Sequence, residues 1–215
     1  MGFRLMRPYS IPKEEIKIAS KSGFLTKDLW KKYLNHRCRS WAFETWKRYI
    51  EKGIFKPYGR FNNGEVVVPN KDSPIVKELV GSDISPPPFA YQLRHDELTL
   101  DFVLKLLKQD KITDYYFEPE IRKQPEIFEL NSHDKIPDAI VYSKDSRYAI
   151  EVEMTRKNPK RYRQALESYA SIRSFDEVYY LTNGVKIKNQ ILKIAKDIQY
   201  PSHRCPIRLS LLDAG

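Results

Sequence analysis

The sequence predicts an α/β protein in two parts, and three observations predict it. Of a net charge of +10 over 215 residues, +9 falls within residues 1–70, where 15 Lys and Arg stand against 6 Asp and Glu; the remainder carries 23 against 22. Breakers then interrupt the chain at residues 70–74 and 82–88, the second run ending Pro86-Pro87-Pro88, which sustains no helix. Beyond them the apolar period runs helix, three strands, helix, strand, helix, strand, the order of a mixed sheet with helices on both sides. The expected division is therefore a basic part over 1–70, a proline-rich linker over 71–88 with one helical turn over 75–80 between its breakers, and a mixed-sheet domain over 89–215.

Composition narrows the class. The chain is 41% hydrophobic, yet no run approaches the roughly 18 apolar residues of a membrane span, and no signal-peptide pattern opens it. A soluble, cytoplasmic protein without a membrane partner is expected. Cys38 and Cys205 stand alone, which excludes a cysteine zinc motif and a disulfide framework and predicts two reduced thiols.

In the basic part, Pro12 opens a helix over 13–20, and Thr26 caps a second over 27–34. Ser40 caps a third over 41–52, where Ala42, Phe43, Trp46, Tyr49 and Ile50 form an apolar stripe and Gly53 ends the helix. Residues 54–61 and 65–68 read as a hairpin turning at Asn63-Gly64. Three helices and a hairpin in that order describe a winged helix-turn-helix. The third helix would then enter the major groove of double-stranded DNA with Glu44, Thr45, Lys47 and Arg48 outward, and Lys56 and Arg60 of the hairpin would meet phosphates. Winged helices also serve as protein–protein adaptors; the concentrated charge favours DNA. Trp30, Trp41 and Trp46 are expected in the core, as aromatics at helical spacing are.

In the second part an amphipathic helix over 94–108 carries Leu98, Phe102, Leu106 and Leu107 inward, with His95 at its start and Glu97 and Asp101 on one face. A strand over 115–121 follows. Asn158 caps a helix whose stripe is Tyr162, Ala165, Leu166 and Tyr169; a strand over 177–181, a helix over 186–198 with Ile187, Ile191, Ala195 and Ile198 inward, and a strand over 207–212 complete the domain.

The chemistry concentrates between Lys135 and Thr155. Two apolar strands, 136–142 and 148–154, hold Pro137-Asp138 at the start of the first and Glu151-Val152-Glu153 within the second. Alternation puts Glu151 and Glu153 on one face, and pairing of the strands brings Asp138 beside Glu151. Interior carboxylates need compensation. An oxygen-lined site for a hard cation supplies it. So does a structural salt-bridge cluster with Lys157, Lys160, Arg161 and Arg163. His133 and His203 read as surface residues, and Asn35-His36-Arg37-Cys38 as a loop.

This order, with Pro137-Asp138 on one strand and Glu151-Val152-Glu153 on the next, resembles the PD-(D/E)XK fold of restriction endonucleases. More closely, His95-Asp96, Pro137-Asp138-Ala139, the run from Glu151 to Lys157 and Val178-Tyr179-Tyr180-Leu181 look like the replication-relaxation family. That family pairs an N-terminal winged helix with a nuclease-like domain in plasmids and mobile elements and is similar to MobC-type relaxases used in plasmid mobilisation. The resemblance implies a metal-dependent DNA endonuclease or relaxase using Mg²⁺ or Mn²⁺, and a homodimer or other relaxosome-type proteins as partners.

Carried over residue by residue, the two metal-binding acids are Asp138 and Glu151, but Glu153 stands where the pattern has a lysine. Three readings follow: Glu153 is a further metal ligand; Lys157, Lys160 or Arg161 supplies the cation; or the fold has no catalysis. The active reading takes Asp138, Glu151, Glu153 and Lys157 as catalytic, adds His95 and Glu97 to the metal ligands, and gives Lys160 and Arg161 to DNA phosphates. The competing function is a non-catalytic accessory or regulatory DNA-binding protein. A tyrosine-nucleophile relaxase is set aside, because no two histidines have its histidine–apolar–histidine spacing.

Overall fold

In the computed structural model, which describes residues 11–34, 39–61, 64–144, 146–172, 174–198 and 207–211, the basic part is built around two buried indoles. Trp30 and Trp46 lie with ring centroids 5.3 Å apart, and Tyr49 meets Trp30 edge-on. They bring together α3 (Arg39–Glu51) and the segment formed by α2 (Lys27–Leu29) and the π-helical turn Trp30–Leu34. Thr26 accepts the Leu29 N–H through Oγ1 at 3.3 Å, the cap that starts this segment. Ahead of it lie α1 (Lys13–Ser22) and the short β1 (Leu25–Thr26). After α3, Gly53 at φ 65° turns the chain.

The strands β2 (Phe55–Phe61) and β3 (Gly64–Pro69) form an antiparallel hairpin with a register shift between Pro57 and Gly59, and β3 is the centre of a sheet ordered β1-β3-β2. Gly64 has φ 101°, and a Cβ there would come within 3.1 Å of the Asp28 carboxylate. Asn62 and Asn63 of the expected turn lie outside the described residues, as do His36, Cys38, His203, Cys205 and the side chain of Trp41.

Residues 74–80, expected within the linker, form α4 (Pro74–Val80), with Pro at its first turn, where the missing N–H is harmless. Its Val76 is fully buried and the helix packs on α1. The chain divides into two units, residues 1–84 and 85–215.

The second unit is a five-stranded mixed sheet in sequence order: β4 (Asp114–Phe117), β5 (Ala139–Tyr142), β6 (Arg147–Glu153), β7 (Glu177–Thr182) and β8 (Ile207–Leu211). The first three strands form an antiparallel meander, while β6, β7 and β8 run parallel. Parallel neighbours need crossovers, and α7 (Pro159–Ser171) and α8 (Val185–Lys196) provide them. Asn158 caps α7 as expected, its side chain accepting the Lys160 N–H. On the face carrying Ala149, Val178 and Tyr180, the two helices bury Tyr162, Leu166, Tyr169, Ile187 and Ile191. On the other face, Tyr179 meets Phe102 of α5 (Leu93–Lys108).

Two expectations are corrected here. The strand expected over 115–121 stops at Phe117, because Pro119 cannot donate to a ladder and suits a helix start; α6 (Glu118–Lys123) follows, with Glu120 accepting the Phe117 N–H at 3.1 Å. The innermost stripe of α5 is Leu93, Glu97, Leu100, Val103 and Leu104, while Leu98, Phe102, Leu106 and Leu107 are half-buried. The helix has apolar residues on more than one line, and the packed sheet selects between them. Among the described residues, no helix is long and apolar enough to cross a membrane.

Leu166 is fully buried between α7 and the sheet. Leu166→Ala should destabilise the second unit by about 2–5 kcal/mol, measurable as a lower midpoint in urea at unchanged slope.

Candidate functional site

The strand β6 carries two acids into the sheet because its alternation sends Ala149, Glu151 and Glu153 to the face covered by α7. Glu151 and Glu153 are only 6% and 5% exposed, and they line a cavity of about 400 Å³. Its other walls include Lys135, Lys157, Arg161 and His133. Three permanent cations thus surround two carboxylates.

Glu151 is the most constrained. Lys135 Nζ donates to its Oε1 at 2.8 Å, and the Tyr169 hydroxyl donates to the same oxygen. Burial, and then the neighbouring Asp138, push its carboxyl up to about 7 in spite of Lys135. The pair is lopsided. Burial opposes the Lys135 charge too, but Glu151 and Asp138 together hold its pKa above the ordinary lysine value. Burial and Glu151 raise Tyr169 well above the usual phenol range, so it stays a donor.

Asp138 stands at the mouth of β5. That strand begins only at Ala139, and Asp138 uses its side chain where a neighbouring strand would otherwise serve: Oδ2 accepts the Val152 N–H at 2.7 Å. His95 from the start of α5 completes the arrangement. Its Nε2 lies 3.2 Å from Asp138 Oδ2 and 3.1 Å from the Val152 carbonyl, and its Nδ1 lies 3.0 Å from Asp96 Oδ1. Both ring nitrogens face carboxylates, which calls for both to be protonated. Burial opposes that charge, but the hydrogen bonds to Asp138 and Asp96 outweigh it and lift His95 to about 10. In return, and against burial, His95 holds Asp138 below the usual carboxylate range.

The expected ligands therefore separate. Glu153 pairs with Lys157 at 2.7 Å, Glu151 with Lys135, and Asp138 with His95. His95, expected among the metal ligands, is placed between Asp138 and Asp96, with both ring nitrogens facing carboxylates. Glu97, also expected there, lies on the buried stripe of α5 and takes Arg94 at 3.0 Å. Among the described residues no three His, Cys, Asp or Glu side chains converge to hold an ion. Asp138 and Glu151 are nevertheless close enough to repel, and an ion held by them and Glu153 would share Glu151 with Lys135 and Tyr169, whose donors both meet Oε1. Arg161 lines the cavity, Lys160 is exposed beside it, and Arg163 turns instead to Glu167 and Asp197.

Sequence reasoning missed Lys135, Tyr169 and His133. Lys135 lies three residues before Asp138, and a buried tyrosine hydroxyl generally finds a partner; those were the signals available. His133 is exposed, as expected of a surface residue, and it also lines the cavity.

In the first unit, Lys47 and Arg48 project from α3, loosely paired with Glu51 and Glu44 at 3.3 and 3.9 Å. Thr45 is buried at 8% exposure, beside Trp46 and one turn before Tyr49, which corrects its outward placing. On the hairpin, Lys56 pairs with Asp72 at 2.7 Å, while Arg60 is 84% exposed and only brushes Glu65 at 3.4 Å. Lys27 holds Glu65 at 2.8 Å and its pKa below the ordinary value. No family model, curated protein or solved structure matches the chain.

The raised Glu151 pKa has a signed consequence. Its folded value of about 7 exceeds the ordinary 4.5, so its contribution to stability is fully present below about 4.5 and is lost as pH rises through about 7. Glu151→Gln lacks this dependence. Its melting temperature relative to wild type should therefore be higher at pH 8 than at pH 5; a constant difference across that range would show that the carboxyl titrates normally.

Proposed function

We propose that the chain is a DNA-processing protein of the plasmid or mobile-element kind, binding duplex DNA with a winged helix and nicking it at the carboxylate cavity. One observation carries this reading. A basic unit of helices closed by an antiparallel hairpin is joined to a five-stranded sheet in sequence order, whose second strand alone runs against the others and whose second and third strands bring Asp138 and Glu151 together. That combination supports the winged helix and restriction-endonuclease-like domains expected from the replication-relaxation resemblance.

In the first unit, α3 would lie in the major groove with Lys47 and Arg48 toward DNA, and Arg60 on the hairpin would contact phosphate. In the second, a phosphodiester would enter a cavity whose cations outnumber its acids, with Arg161 and Lys157 at the rim. Asp138, Glu151 and Glu153 would hold Mg²⁺ or Mn²⁺, which supplies an acidified water and neutralises charge at phosphorus. The chain's own part is to position the phosphate and to keep the acids fixed: Asp138 through Val152 and His95, Glu151 through Tyr169.

A specific observation favours a second reading. Each of the three acids has its own cation, the arrangement of a structural ion-pair cluster in an accessory DNA-binding protein without catalysis. Metal distinguishes the two. Mn²⁺ should raise the melting temperature of wild type, by an amount that corresponds to about 2.7 kcal/mol at a hundredfold excess over its dissociation constant, and leave Glu151→Gln unmoved. A supercoiled plasmid carrying a sequence selected by the protein from random duplex should be nicked by wild type and not by Asp138→Ala. Identical melting with and without metal, and no nicking with binding intact, would establish the accessory reading.

DNA binding has its own test. Each phosphate contact adds about 0.9 to the log–log salt slope, so Arg48→Ala and Arg60→Ala should each flatten it by roughly that amount. A slope unchanged in both would remove these residues, and the winged-helix docking, from the interface.

A further inference from the structure

The position two residues after Glu151, where the nuclease pattern has its lysine, is filled by Glu153. The side chain that approaches Glu151 instead comes from a different segment. Lys135 lies in the loop before β5, and that loop is tied to α7 by the Lys135 N–H, which donates to Ser168 Oγ at 2.8 Å. From this anchor the chain's Nζ reaches Glu151 Oε1 at 2.8 Å and the Ile136 carbonyl at 2.8 Å. Two of the three ammonium donors are thereby directed by the protein, and the third has no partner among the described residues. The side chain is 36% exposed and lines the cavity.

We infer that Lys135 is the cation of the nicking site, contributed by the loop before Asp138 and not by strand β6, and that it contacts a non-bridging oxygen of the phosphodiester in the cavity. The inference rests on the nicking reading above. Three cations could claim the role, and geometry ranks them. Lys157 makes a single ion pair, with Glu153, four residues away at the end of the same strand, and is 43% exposed. Arg161 is exposed on the first turns of α7. Lys157 too is held at its backbone, by the Tyr162 hydroxyl, and at its ammonium, by Glu153; among the described residues it is Lys135 whose ammonium is directed by two acceptors, one of them the acid that faces Asp138. A charge held in advance where negative charge develops stabilises a transition state without reorganisation, and this is the property that the two acceptors give Lys135.

The reaction balances without further reagents. Water adds its oxygen to phosphorus, the bond from phosphorus to one sugar oxygen breaks, and the proton lost by the water is matched by one gained from solvent at the departing oxygen. Lys135 keeps its proton throughout. Its part is to neutralise the charge that accumulates on phosphorus-bound oxygen.

The test compares full-length wild type, Lys135→Met, Lys135→Arg and Lys157→Met on the selected supercoiled plasmid in Mn²⁺, with metal-dependent melting as a readout that needs no turnover. Lys135→Met should slow nicking about 100-fold or more, the scale of losing one preorganised donor, while its Mn²⁺-induced melting shift is kept or enlarged, since the competitor for Glu151 is gone. Lys135→Arg should recover part of the rate, and Lys157→Met should lose less than about tenfold. Nicking by Lys135→Met within threefold of wild type would overturn the assignment and leave the nicking reading intact. A large loss in Lys157→Met with none in Lys135→Met would transfer the role to Lys157. If wild type neither nicks nor responds to Mn²⁺, the nicking reading fails and this inference falls with it.

Discussion

The burial of the Glu151 carboxylate is the constraint on which the rest of the second unit depends. An acid in the interior of a sheet is costly unless donors reach it, and here they come from two places: Lys135 on the loop before β5 and Tyr169 on α7. Each donor is held in turn, Tyr169 within the aromatic and aliphatic core against Phe175 and Tyr180, and the Lys135 loop by Ser168. The sheet, the loop and the crossover helix are thereby locked around one oxygen. A buried ion pair of this kind adds little net stability. What it does is specify where α7 lies and keep open a charged cavity beside the sheet.

The same logic governs Asp138. It compensates the backbone of Val152, and His95 compensates Asp138, so a residue on α5 is coupled across the sheet to the acid pair. The two faces of the sheet meet at this point through a chain of hydrogen bonds. Displacing any member leaves a buried charge uncompensated, which is far more costly than the pair was worth.

The first unit uses its charge differently. Its core is apolar and aromatic, centred on Trp30 and Trp46, and on α3 Lys47 and Arg48 lie outside in weak, solvent-screened pairs with Glu51 and Glu44. Such pairs cost little to break. Lys47, Arg48 and Arg60 are therefore held loosely at the surface, whereas Lys135 is directed by Glu151 and the Ile136 carbonyl.

Much of this was legible in the residues themselves. Periodicity, Thr26, Asn158, the glycines and the prolines determined where most helices and strands begin and end, because these signals act over a few residues and depend on local sterics and backbone hydrogen bonding. Strand alternation likewise put Glu151 and Glu153 on one face, and pairing put Asp138 near Glu151. What only the tertiary structure decided was which partners those side chains meet. Thr45 turned inward and the buried stripe of α5 shifted, because a helix with apolar residues on several lines is oriented by the surface it packs on. Lys135 and Tyr169 reached Glu151 across 16 and 18 residues of sequence, a convergence set by the crossover of α7 over the sheet and invisible to any local spacing. His95 became a cation for Asp138 in the same way, through a contact 43 positions long in the chain. Local order follows from short-range backbone chemistry; the electrostatics of a buried site follow from long-range packing, and only the folded chain brings those charges within a few ångströms of one another.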